Sequence, residues 1–171
     1  MNRKWLCVPA LVLALLSAFA CSKKEDSAEL EKAREWEIEN FTAGKTPPPT
    51  PAPLPKDLKV EVPASVRAKH KSVVMGIGNR KTLKVVKFTV KLGSTANVPG
   101  TDYTIKVWDY LPAWSFKGNT VTTNGEDPID PAVRAIVYQK GKAVFDGFIF
   151  QKHKTPSFAT NEYAIGLLGT R

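Results

Sequence analysis

Pro47, Pro48, Pro49, Pro51, Pro53 and Pro55 crowd into nine residues. Proline fixes φ near about −65° and carries no amide hydrogen. Neither a helix nor the interior of a sheet can run through such a stretch. It is expected to be extended polyproline II, a semi-rigid spacer reaching on the order of 30 Å at ~3.1 Å per residue. A ligand for an aromatic groove is the alternative use of such a segment. Any compact fold must therefore lie to one side of it. The C-terminal side offers residues 57–171, enough for one domain with a modest core.

From Asp57 onward short apolar runs rich in Val, Ile, Phe, Thr and Tyr are punctuated by Gly, Pro, Asn and Asp. That is the texture of strands joined by turns. Strands are expected near 58–62, 71–78, 83–92, 103–110, 132–139, 143–151 and 161–168. Val86, Phe88, Val90 and Leu92 alternate with Lys87, Thr89 and Lys91, which gives one buried and one wet face. Lys84 breaks this phase, so a bulge is expected near Val85. Tyr103, Ile105 and Val107 alternate with Thr104, Lys106 and Trp108. Lys140-Gly141-Lys142 reads as a tight hairpin. Tyr163, Ile165 and Leu167 define the inward face of the last strand. Phe145, Phe148 and Phe150 are expected in the core beside Val107, Val137 and Ile165. No amphipathic helix of useful length follows residue 57. The fold expected is all-β, a single antiparallel β-sandwich or barrel-like domain.

The other side of the prolines reads differently. Arg3 and Lys4 precede an apolar run from Trp5 to Phe19, and Ala18-Phe19-Ala20-Cys21 follows. A basic head, a short apolar segment and small residues form an export signal. The run is short for a membrane span of ~20 residues. Ala20-Cys21 resembles the lipobox of bacterial lipoproteins, although Ala18-Phe19-Ala20 also meets the small-x-small rule of ordinary signal cleavage. An uncleaved anchor is the third reading. The layout expected is a lipoprotein signal peptide at 1–20, a lipidated, charged and Pro-rich tether at 21–56, and the β domain at 57–171. Lipidation on Cys21 would anchor the chain to the outer membrane, facing the periplasm. Asp26 with Glu29, and the alternating charges after them, suggest a solvated helix in residues 22–44; the sharper alternative is a partner-binding helix. Cys7 leaves with the signal, so no disulfide supports the domain.

Charge is unevenly divided. Residues 21–56 hold 6 basic and 7 acidic groups, whereas residues 57–171 hold 17 basic and 9 acidic groups, net +8. In an envelope rich in anionic lipid and polymer, a basic domain is drawn to such partners. Arg80, Lys81, Lys87 and Lys91 are the expected anionic-ligand patch, with Arg67, Lys69, Lys71 and Lys84 nearby in sequence. A merely solvated sheet face is the alternative. Nucleic acid is not expected behind an export signal.

Chemistry-bearing motifs are sparse. Zinc needs three or four gathered ligands, and the domain has only His70 and His153, both expected at the surface. No Gly-x-Ser-x-Gly occurs, and Ser115 and Ser157 sit in no nucleophilic context. Asp127 and Asp130 flank Pro128-Ile129 in a loop, not a hydrolytic pair. Gly76-Ile77-Gly78 lacks the third glycine of a dinucleotide loop and reads as a turn leaving a strand. Trp108-Asp109 occurs once, without a propeller period. No catalysis, metal or cofactor is expected.

The segments Tyr103-Thr104-Ile105-Lys106-Val107, Leu111-Pro112-Ala113-Trp114 and Asp130-Pro131-Ala132-Val133 are followed by Gly141 to Phe150 and by Pro156-Ser157-Phe158 before Tyr163. Together they resemble a family of proteobacterial envelope proteins known as a domain of unknown function. That family carries Asn-Pro-Ala-Val and Phe-x-Gly-Trp-x-Phe segments. Here Asp130 replaces the Asn, Phe148 the Trp, and Thr160 stands near a common His. The resemblance implies an envelope address and one fold unit, and no activity. The function expected is a membrane-anchored periplasmic lipoprotein with a non-catalytic binding or scaffolding domain. Its partners would be an anionic envelope polymer or another envelope protein; the alternative is an accessory subunit stabilising an envelope complex.

Overall fold

The computed structural model describes residues 54, 55, 57–153 and 157–171. The expected signal peptide, Cys21 and nearly all of the tether lie outside the described residues. Within them the chain runs β1 (Lys59–Val60), α1 (Ala64–Lys69), β2 (Ser72–Asn79), β3 (Lys84–Lys91), β4 (Ser94–Asn97) and β5 (Tyr103–Leu111). It continues through β6 (Trp114–Lys117), β7 (Thr120–Thr123), β8 (Ala132–Gln139), β9 (Lys142–Phe150), β10 (Phe158–Ala159) and β11 (Tyr163–Thr170). Two four-stranded antiparallel sheets pack together, one in the order β10-β11-β2-β3 and the other β4-β5-β8-β9. A small sheet, β1-β7-β6, adds one parallel pairing between β1 and β7. The domain is an all-β sandwich.

Turn chemistry sets the registers. Lys140 (φ 50°) and Gly141 (φ 81°) both take left-handed backbone between Gln139 and its partner Lys142. Two such residues make the turn whose twist matches flanking strands. The β2–β3 connection is longer. Asn79 Oδ1 accepts from the Lys81 and Thr82 amides at 2.9 and 3.0 Å, and Leu83 closes the turn at φ 56°.

The main core lies between the sheets. Val73, Met75, Ile77 and Val90 of the first sheet meet Ile105, Val107, Val137, Phe145 and Ile149 of the second, with Ile165 and Leu167 from β11. Each fully buried aliphatic chain contributes about 1.5–3 kcal/mol. A second cluster, on the other face of the second sheet, holds Leu111, Val121 and Phe148 with Leu58, Val60, Trp114 and Phe150 packed against it. Phe148 and Phe150 therefore do not share the main core with Phe145. Residues three apart in a strand face opposite sides, and the pairings Val137↔Phe145 and Arg134↔Phe148 fix which side each takes.

Other expectations need correction. The β2–β3 ladder runs unbroken through Gly78↔Val85, so Val85 has no bulge. Irregularities fall instead in β5 between Val107 and Tyr110, in β9 opposite Val137/Tyr138, and in β11 near Leu168. Gly76 and Gly78 lie inside β2, paired to β3 and β11, and form no turn. Val86, expected on the buried face, is 47% exposed on the edge strand although its partner Ile77 is buried. The helix α1 is one short element the apolar pattern did not announce.

Candidate functional site

The four expected patch residues fall into two groups. Lys87 and Lys91 share the outward face of edge strand β3, opposite Gly76 and Ser72, about 13 Å apart at ~3.3 Å per residue. Arg80 and Lys81 sit in the β2–β3 turn. The Arg80 guanidinium donates to the Thr160 carbonyl at 2.7 Å, and the Lys81 ammonium lies 4.0 Å from Glu162. The turn pair is thus drawn to an acidic loop at the end of β3 remote from Lys91.

That end carries an open cavity of about 830 Å³, lined by Asp102, Tyr103, Gln139, Thr160, Glu162 and Tyr163 among others. Gln139 Nε2 donates to both Asp102 oxygens at 3.1 and 3.2 Å. Thr160 Oγ1 accepts from the Glu162 and Tyr163 amides. The two tyrosine rings meet edge to face at 6.3 Å. Both phenols titrate above the ordinary value of 10, through burial first, with the Glu162 carboxylate adding to it. They remain neutral donors at physiological pH, beside two carboxylates.

A second cavity, of about 490 Å³, sits where the opposite end of β2 meets α1, β5 and the β3–β4 corner. Arg67, His70, Lys71, Leu92, Gly93, Trp108 and Asp109 line it. Local structure explains the gathering. Trp108 and Asp109 together oppose the single residue Arg134, because pairing passes from Val107↔Ala135 to Tyr110↔Val133. Such a bulge re-aims side chains; the next residue, Tyr110, returns to the core. Asp109 then meets the Arg67 guanidinium of α1 at 3.1 Å. The Lys71 ammonium donates to the Arg67 carbonyl at 3.1 Å, at the C-terminal end of the helix. The Lys106 ammonium lies 3.7 Å from the centre of the Trp108 ring.

His70 closes this wall. Its ring lies 4.7 Å from that of Tyr110, and its Nε2 is buried. Burial lowers its pKa below the ordinary 6.5, neighbouring Lys69 lowers it further, and Glu126 opposes them. The imidazole is neutral at physiological pH. His70 is thus partly buried, not the surface histidine expected. His153 is exposed, stacked on Phe150 at 3.8 Å and 3.6 Å from Asp130. Among the described residues no three His, Cys, Asp or Glu side chains gather as metal ligands.

Trp108 was legible as a wet-phase residue of β5, and Arg67 and Lys71 as cations. Their convergence with His70 and Asp109 was not. It depends on a bulge that breaks alternation and on a helix of six residues. No family model, curated protein or solved structure matches the chain.

Proposed function

We propose that this protein is a lipid-anchored, periplasm-facing envelope protein whose β domain binds an anionic envelope polymer without catalysis. The observation that carries the ligand class is the placement of Lys87 and Lys91 on one outward face of β3, within a domain of net charge +8. A basic face in a polyanionic compartment raises the local concentration of such a polymer. The address rests on Ala20-Cys21 behind an apolar run, and the resemblance to envelope proteins supports it. Incubating the purified full chain with lipopolysaccharide and with wall fragments at rising salt tests the ligand class. Association should weaken steeply, since exposed charges are screened beyond ~8 Å at physiological ionic strength. Salt-insensitive or absent association contradicts it. For the anchor, Cys21→Ser should abolish lipid attachment by mass spectrometry and release the protein from membranes; unchanged retention contradicts that part.

A second reading is an accessory subunit that pairs with an envelope protein through a sheet edge. Its support is the edge strand β3, where Val86 is 47% exposed, and the turn before it, where Leu83 is 55% exposed. Crosslinking from intact cells through a residue placed at Val86 would recover a discrete protein under this reading, and polymer under the first.

A further inference from the structure

We propose that the cavity at the α1–β5 corner binds one sugar unit bearing a carboxylate, with its ring on Trp108 and its charge held by Arg67 and Lys71. This rests on the anionic-ligand reading for the sign of the charge, and adds a site away from the β3 lysines. Trp108 is 42% exposed, whereas Tyr103, Tyr110, Phe145 and Phe148 of the same sheet are buried and Tyr138 and Phe150 are partly buried. Alternation after buried Val107 places Trp108 on the outward face, and the bulge sets Asp109 beside it before Tyr110 returns to the core. An exposed, rigid indole beside a cavity of about 490 Å³ has the size and make-up of a small-ligand site, an apolar surface with a few placed polar groups.

The charge there is one-sided. Arg67 and Lys71 line the cavity and Lys106 lies on its indole, against the carboxylate of Asp109; near His70, which is neutral, Glu126 is offset by Lys69 at 3.7 Å, so the balance stays positive. Each cation is already positioned by a protein contact: Arg67 by Asp109, Lys71 by the Arg67 carbonyl, Lys106 by the indole. A guanidinium has five N–H donors and an ammonium three, so Arg67 and Lys71 keep donors after these contacts. Prior positioning reduces the entropy lost on binding. A pyranose fits both halves. Its C–H face packs on an aromatic ring, its hydroxyls reach the polar rim, and a carboxylate on the ring or on an ether side chain reaches the cations. The opposite end of the sandwich, with Asp102 and Glu162 in its cavity, repels the same ligand.

The test uses the full chain in neutral-detergent micelles. The probes are a short oligomer of glucuronic acid, a wall disaccharide containing muramic acid, and an oligomer of glucose as the neutral control. Tryptophan emission should change with an acidic probe and not with glucose. Trp108→Ala should weaken binding about tenfold or more, as for a central aromatic contact. Lys106→Gln should weaken it less, and both variants should melt like the parent. Whichever acidic probe binds more tightly identifies the source of the sugar. Acidic-probe binding that survives Trp108→Ala and collapses in the Lys87→Glu, Lys91→Glu double variant overturns the corner site and leaves the polymer reading intact. Failure of both acidic probes, with polymer association retained, does the same. A nucleoside monophosphate that competes as well as the acidic sugars overturns the sugar assignment.

Discussion

Along β5, Ile105 and Val107 turn toward the first sheet and are fully buried, whereas Lys106 and Trp108 on the other face retain exposure. The same strands thus present two faces with different demands. The inner face is a continuous aliphatic core. The outer face is divided: one end is covered by the small sheet, Trp114 and Leu58, and the other is left to Trp108, Lys106 and the helix that brings Arg67. The covered end contributes stability, and the open end is free to meet a ligand. A core face is constrained by packing on every side, so new chemistry is placed more readily where cover is partial.

The largest effect should come from the covered end. Phe148 is buried against Trp114, with the Arg134 guanidinium 5.8 Å from its ring. Phe148→Ala should cost ~3–5 kcal/mol in denaturant unfolding. A variant that melts like the parent would show that the covered end is ornamental and break the comparison. Thr123 comes next. Its Oγ1 accepts the Ala113 amide at 3.0 Å and donates to the Gly125 carbonyl at 2.7 Å. Thr123→Val leaves a buried amide without an acceptor and should cost about 1–3 kcal/mol. On the inner face, Ile105→Val removes one methylene from a fully buried side chain and should cost about 0.5–1.5 kcal/mol.

His70 sharpens the comparison through pH. Its folded-state pKa lies below 6.5, so above that pH both folded and unfolded chains hold it neutral and it adds no pH dependence. As the pH falls through 6.5 the unfolded chain takes up the proton first. Stability then declines until the folded imidazole titrates as well. Tyr110, Lys69 and Glu126 are the groups that face it. His70→Phe should remove this part of the acid slope in unfolding midpoints measured from pH 7 downward; an unchanged slope contradicts the assignment. The smallest effect belongs to the open end. Trp108→Ala should shift stability by no more than about 0.5 kcal/mol, and a larger loss would make this ring part of the cover.

The long strands were legible because their apolar residues recur at period two, as in Tyr103-Ile105-Val107 and Ile165-Leu167. The short ones were not. Ser94-Thr95-Ala96-Asn97 and Thr120-Val121-Thr122-Thr123 carry little hydrophobic contrast, and they are strands because β5 and β6 offer them partners. Parity was lost at Phe148, since apolar residues at 145, 148, 149 and 150 do not reveal which belong to which face. A cover on the second face, supplied by Leu58, Val60 and Trp114, gives both sets a place. Lys87 and Lys91 could be placed from alternation alone. Arg80 and Lys81 could not, because their positions follow from Thr160 and Glu162, some 80 residues away.

The central claim is that the outward basic face of the domain meets an anionic partner. Its most direct test is the association of the folded Lys87→Glu, Lys91→Glu double variant with lipopolysaccharide and wall fragments at fixed ionic strength, beside its melting curve. Both residues are exposed, so folding should be almost unchanged. The account predicts a clear loss of association at an unaltered melting temperature. Undiminished association by a double variant that folds like the parent would contradict it.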